Sequence, residues 1–170
     1  DVCSSDLIGI SWTDGNFTYF RKGFMNPESF WTFYRSFSDK IAHVVHFRSK
    51  VGKLSIPDLT HPFIVSSDSL LTLEYRGKES LLSHNGVISD YKDYLMILGL
   101  VGKLKVDWDN LDLYIDTRVI AIVLSYLGES FLKTLPGKWA VVTPIGIKTY
   151  GVFYDYRKGV KLSQVMRVSR

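Results

Sequence analysis

The sequence predicts a single domain of the α+β class. Three observations predict it. Aromatic-rich apolar runs at strand spacing open and close the chain. Amphipathic helical patterns occupy its middle. The order of strands, then helices, then strands is that of sheet layers covered by helices. Hydrophobic residues make up 46% of the 170 and charged residues 22%, enough apolar mass for a real core. Aromatics reach 14%, with ten Tyr and ten Phe, which suits strands.

The elements follow in order. Ile8 to Trp12 and Phe17 to Arg21 read as a hairpin closed by Thr13-Asp14-Gly15-Asn16. Asn26-Pro27-Glu28 is a helix start, with Asn as N-cap, Pro in the first turn and Glu behind it. Phe30, Phe33, Tyr34 and Phe37 then repeat at helical spacing. Ile41 to Arg48 is a strand in which His46 and Arg48, two apart, share a face. Residues 50–60 are loop-like, and Pro62 fixes the chain before Phe63-Ile64-Val65. Leu70 to Tyr75 and Ser80 to His84 read as two strands around Arg76-Gly77-Lys78. Ser89 to Leu98 is a short helix with Tyr91, Tyr94, Leu95 and Leu98 on one face, and 99–112 is a mixed linker. Asp116 reads as the N-cap of a strong, well-buried helix through Leu127. Trp139 to Thr143 and Ile147 to Phe153 form a second hairpin, and Tyr154 to Tyr156 and Val160 to Leu162 flank a third turn.

Several function classes receive no support. Net charge is +4 with pI near 9.1, but the 21 Lys and Arg are scattered without a block of like charge. A nucleic-acid surface is therefore not indicated. No stretch is long and apolar enough to span a membrane, and the N-terminus has no signal pattern. Cys3 is the single cysteine, so no internal disulfide forms and a reducing, cytoplasmic setting is expected. The chain opens Asp1-Val2-Cys3-Ser4-Ser5-Asp6-Leu7 without an initiator Met. That segment reads as a non-native scar, so residues 1–7 are set apart and the domain is expected over 8–170.

Four places carry candidate chemistry, each with a plainer reading beside it. Arg48 ends a strand and can grip a carboxylate bidentately, or be a surface Arg. His61-Pro62-Phe63 can brace a site, or be a turn. Within His84-Asn85-Gly86, the Asn85 amide and the Gly86 N–H can form an oxyanion hole, or a hairpin turn. Asp116 can bind an ammonium group as well as cap a helix.

The four together resemble, in order and spacing, the class II glutamine amidotransferases of the N-terminal-nucleophile type. The matching text is His46-Phe47-Arg48, then Thr60-His61-Pro62-Phe63, then Ser83-His84-Asn85-Gly86-Val87-Ile88, then Asp116-Thr117-Arg118-Val119-Ile120-Ala121. The nearest likeness is to small stand-alone, phage-type members, and it covers about residues 8–153. It implies a four-layer αββα sandwich and hydrolysis of the glutamine side-chain amide to glutamate and ammonia through a cysteine thioester. It implies that Arg48 holds the α-carboxylate and Asp116 the α-ammonium. Asn85 and Gly86 would stabilise the oxyanion, and His61 and His84 would shape the pocket. It implies no metal and no cofactor. The substrate would be glutamine or a γ-glutamyl amide, and a separate synthase could accept the ammonia.

Two departures stand against the family pattern. The family's nucleophile is an N-terminal Cys on a first strand, whose α-amine serves as base. Cys3 lacks that setting, so the nucleophile and first strand are expected to be missing and the chain as written to be inactive. After Arg48 the chain runs Ser49-Lys50-Val51-Gly52, where the family places Ala-Thr and a Gly, which puts substrate preference in question. The competing expectation is a non-catalytic domain of the same fold that binds an amino acid or a protein. A basic module for nucleic acid or phosphate is a third.

Overall fold

The structure, a computed structural model, describes residues 7–37, 41–48 and 56–164. Strands β1 (Leu7–Thr13) and β2 (Thr18–Phe24) form the first hairpin, and Asp14 Oδ1 ties its turn by accepting from the N–H groups of Asn16 and Phe17 at 2.9 and 2.8 Å. Leu7, grouped by sequence with the N-terminal segment, is buried in β1 and pairs with Arg48. Helix α1 (Pro27–Arg35) begins as expected, with the Asn26 side chain accepting from the Ser29 N–H at 2.8 Å. Strand β3 (His43–Arg48) then pairs antiparallel with β1.

β4 (Phe63–Ile64), β5 (Glu74–Gly77) and β6 (Leu81–Asn85) follow. β5 starts later than the sequence suggests and includes Arg76 and Gly77, which were expected to turn. It joins β2, while β6 joins a different sheet. The Lys22 N–H donates to Leu73 O at 2.9 Å, so partnership with β2 decides where this segment lies. Helix α2 (Tyr91–Leu100) buries Leu95 and Leu98, the face expected from their spacing. The linker after it contains a short 3₁₀ stretch, Trp108–Leu113. Helix α3 (Asp116–Leu127) is buried over Thr117 and Val119 to Leu124. Strands β7 (Lys138–Thr143) and β8 (Gly146–Tyr150) form the second hairpin, and β9 (Tyr154–Arg157) and β10 (Val160–Leu162) pair, among the described residues, only with each other.

The result is a mixed α and β fold. Two antiparallel four-stranded sheets run β3-β1-β2-β5 and β4-β6-β7-β8. Alternation along β1 sends Ile8 and Ile10 to α1, where they meet Phe30 and Phe33, with Phe24 of β2 packed beside them. The other face of this sheet sends Phe20 to Ile64, Leu81 and Val142 of the second sheet. The second sheet's far face packs Leu82, Trp139 and Val141 on Ile120, Ala121 and Leu124 of α3. Among the described residues no helix is long and apolar enough to cross a membrane.

Among the described residues one Lys lies inside. Lys22 is 4% exposed; its Nζ donates to Pro62 O at 2.9 Å and sits 4.5 Å over the Phe63 ring. Burial pushes its pKa down to about 7. Between about pH 7 and the ordinary value of 10.5 the unfolded chain holds a proton that the folded chain lacks. Stability from this group therefore rises with pH across that window and is lowest below pH 7. Lys22→Met is expected to stabilise the protein at pH 6 by about 1–2 kcal/mol, as removal of a buried charge often does. At pH 10, where the neutral amine keeps its bond, the gain should vanish or reverse. Thermal melts at the two pH values check it.

Candidate functional site

The inward face of the first sheet builds half of the site. Gly9 of β1 stands in register with Lys22 of β2 and with His46 of β3, so the three form one row. The segment from Leu59 to Pro62 lies across this row. Arg48 Nη1 donates to Leu59 O at 2.8 Å. His61 Nδ1 lies 2.8 Å from His46 Nε2, and Pro62 O accepts from Lys22. Gly9 leaves the gap that the His61 carbonyl fills, since a Cβ there would stand 1.9 Å from that oxygen. The shared face of His46 and Arg48, read from their spacing, is thus a binding face, although for backbone. Arg48 is half-buried, and among the described residues its five N–H donors give one bond, to Leu59.

The end of β6 builds the other half. His84 and Asn85 are successive strand residues and point to opposite faces. His84 faces the helices. Its ring stacks on Trp139, centroids 3.7 Å apart at 9°, and is walled in by Gly86 and Gly137. Both glycines have positive φ, 153° and 96°. A Cβ on Gly137 would lie 2.3 Å from His84 Nε2. Gly137→Ala is therefore expected to unseat His84 and cost roughly 2–3 kcal/mol, from overpacking and backbone strain together. Urea denaturation, with Trp139 fluorescence reporting on the lost stack, measures it.

Asp116 joins the halves. It is the first residue of α3 rather than the residue before it. Its Oδ1 accepts from the Thr117 N–H at 2.7 Å and the Thr117 hydroxyl at 3.2 Å. Its Oδ2 accepts from the Ile88 N–H at 3.1 Å, which pins the loop carrying Gly86 to the helix start. The β6 end is thus not a hairpin turn; it leads through this pinned loop to α2. His46 Nε2 also lies 3.1 Å from His84 O. That contact, with His61 Nδ1 beside it, makes Nε2 the protonated nitrogen of His46 and leaves its buried Nδ1 without a partner among the described residues.

The electrostatics follow from burial. Desolvation pushes His46 down to about 4, against its bond to the His84 carbonyl, with Arg48 adding to the fall. Burial lowers His61 well below its ordinary value, with His46, His84 and Arg48 adding to it. Burial also takes His84 to about 4 against the pull of Asp116, so its 3.9 Å approach to that carboxylate is not an ion pair at neutral pH. Burial lowers the Arg48 pKa, and the charge of Asp116 opposes the fall. Three neutral imidazoles therefore lie between one guanidinium and one carboxylate.

The chain matches no protein-family model and no curated protein.

Hydrogen bonds join His61 to the His84 carbonyl through His46 and tie Asp116 to Ile88, while Arg48 holds Leu59, two residues before His61, and Asn85 and Gly86 follow His84 directly in the chain. His84 lies behind Asn85 and Gly86, supporting them from the helix side. Cys3 and the 49–52 segment fall outside the described residues. Lys22, Gly137 and Trp139 were missed by sequence reading. A face shared with Phe20 was the available signal for Lys22; for Gly137 and Trp139 there was none. Among the described residues no three His, Cys, Asp or Glu side chains gather as a metal site. A surface groove of about 400 Å³ lies elsewhere, lined by Trp12, Tyr19, Arg21, Phe33, Glu74 and Arg76.

Proposed function

We propose that this chain is the glutamine site of an amide hydrolase of the N-terminal-nucleophile type. The observation that carries the reading is the meeting of three candidate segments at the end of β6: His46, on the face of Arg48, lies 3.1 Å from the His84 carbonyl, and Asp116 accepts from the Ile88 N–H just beyond Asn85 and Gly86. Glutamine is a zwitterion with a neutral amide. It needs one cation, one anion and uncharged donors where the oxyanion develops. On this reading Arg48 binds the α-carboxylate with the donors Leu59 leaves free, and Asp116 accepts from the α-ammonium. Asn85 Nδ2 and the Gly86 N–H hold the oxyanion. Removing one such donor costs roughly 3–4 kcal/mol of transition-state stabilisation. His61 and His46 keep the Arg48 side of the site dry and neutral. The helix α1, first sheet, second sheet and α3 order of contacts supports the αββα sandwich that the motif order implies.

The reaction would break the Cδ–Nε2 bond of glutamine, release ammonia and hydrolyse a γ-glutamyl thioester. The nucleophilic thiolate is the part that the described residues do not supply. The test is release of ammonia and glutamate by the full-length gene product. Arg48→Ala and Asp116→Ala should each lower kcat/KM about 100-fold, the loss of a charge-assisted contact of about 3 kcal/mol. A full-length protein that binds glutamine but releases no ammonia would instead identify a non-catalytic glutamine-binding domain.

A further inference from the structure

Asn85 ends β6 and pairs in register with Lys138, which begins β7. Directly opposed residues on antiparallel strands put their side chains on one face. Both of these reach the same third residue. Asn85 Nδ2 donates to Ser163 Oγ at 2.8 Å, across 78 residues of chain. Lys138 Nζ donates to the Ser163 carbonyl. It also lies 4.9 Å over the ring of Tyr154 in β9. The β9–β10 hairpin belongs to neither large sheet. Ser163, the residue directly after β10, ties it to the end of β6.

The consequence concerns the Asn85 amide. A free carboxamide turns about a broad two-fold χ2. Its NH₂ carries two donors, and a bond to one fixes the direction of the other. We propose that Ser163 is a positioning residue: it sets the plane of the Asn85 amide so that the second Nδ2–H converges with the Gly86 N–H, while Lys138 holds the Ser163 backbone in place. This rests on the glutamine reading of Asn85 and names the device that aims its donor. Ser163 itself touches no substrate.

The test has two arms. In the ¹⁵N-labelled chain, the Asn85 side-chain amide pair is assigned by its loss in Asn85→Asp. Wild type should show this amide as rigid, Ser163→Ala as mobile with an order parameter below about 0.6, and Ser163→Thr as rigid again. In glutamine hydrolysis by the full-length gene product, Ser163→Ala should lower kcat about tenfold at unchanged KM, a part of the full donor loss, and Ser163→Thr should restore it. An Asn85 amide equally rigid without the Ser163 hydroxyl overturns the proposal, and so does a Ser163→Ala effect confined to KM. A wild-type full-length protein that turns over no glutamine overturns the reading beneath it. The amide measurement reports on the Ser163 contact in either case.

Discussion

Gly9→Ala is expected to be the most damaging single substitution in this chain. The added methyl would meet the His61 carbonyl oxygen at 1.9 Å and Lys22 Cβ at 3.0 Å. The first obstacle is backbone, and it cannot swing aside as a side-chain end can. It is held on both sides, by His46 on the His61 ring and by Lys22 on the Pro62 carbonyl. Relief requires the two sheets to part or the Leu59-to-Pro62 segment to lift, which would also release Arg48 from Leu59. The cost should exceed about 4 kcal/mol, beyond ordinary overpacking. At this chain length that lowers the melting temperature by roughly 8–16 °C. Gly15→Ala is the control of opposite character: its added Cβ meets nothing within 4 Å, so only the φ of 92° is strained. Thermal and urea unfolding of both variants measure the difference.

The second large effect is acid sensitivity. His46 and His84 titrate near 4 in the folded state, and His61 lies well below its ordinary value of 6.5. Each is lowered chiefly by burial. Between about pH 6.5 and 4 the unfolded chain binds protons that the folded chain refuses, so stability falls as pH falls through this window. Each histidine contributes a slope of at most about 1.4 kcal/mol per pH unit. Carboxylates begin to titrate only below about pH 5, so the upper part of the window isolates the histidines. The expected result is a steep loss of unfolding free energy from pH 6.5 to 5, shallower by about one proton in His46→Gln. A flat profile there would mean that these rings are hydrated and charged in the folded protein.

Much of the fold was legible in the sequence because it was local. The Asn26-Pro27 start, the apolar faces of α2 and α3 and the two β-hairpins follow from spacing and turn residues within a few positions. Sheet membership was not legible. Leu70 to Tyr75 and Ser80 to His84 sit close in sequence, yet β5 and β6 belong to different sheets, because long-range pairing with β2 and with β7 decides their place. The site shows the same division. His46 and Arg48 share a face by simple alternation, and the structure bears this out. Alternation also separates His84 from Asn85, which reading the two as one tripeptide concealed. The buried Lys22, the Gly9 gap and the reach of Ser163 depend on partners tens of residues away, and no local pattern encodes them.

Titration of L-glutamine into the ¹⁵N-labelled chain, followed by amide shifts, tests the glutamine site most directly, since binding needs the two charged anchors and not the nucleophile. Saturable shifts are expected at Asn85, Gly86, Ile88 and Thr117, with a dissociation constant on the order of 1 mM, and their loss in Arg48→Ala and Asp116→Ala. Absence of saturable shifts at concentrations about tenfold higher, or shifts that survive both substitutions, would contradict a glutamine site at the end of β6.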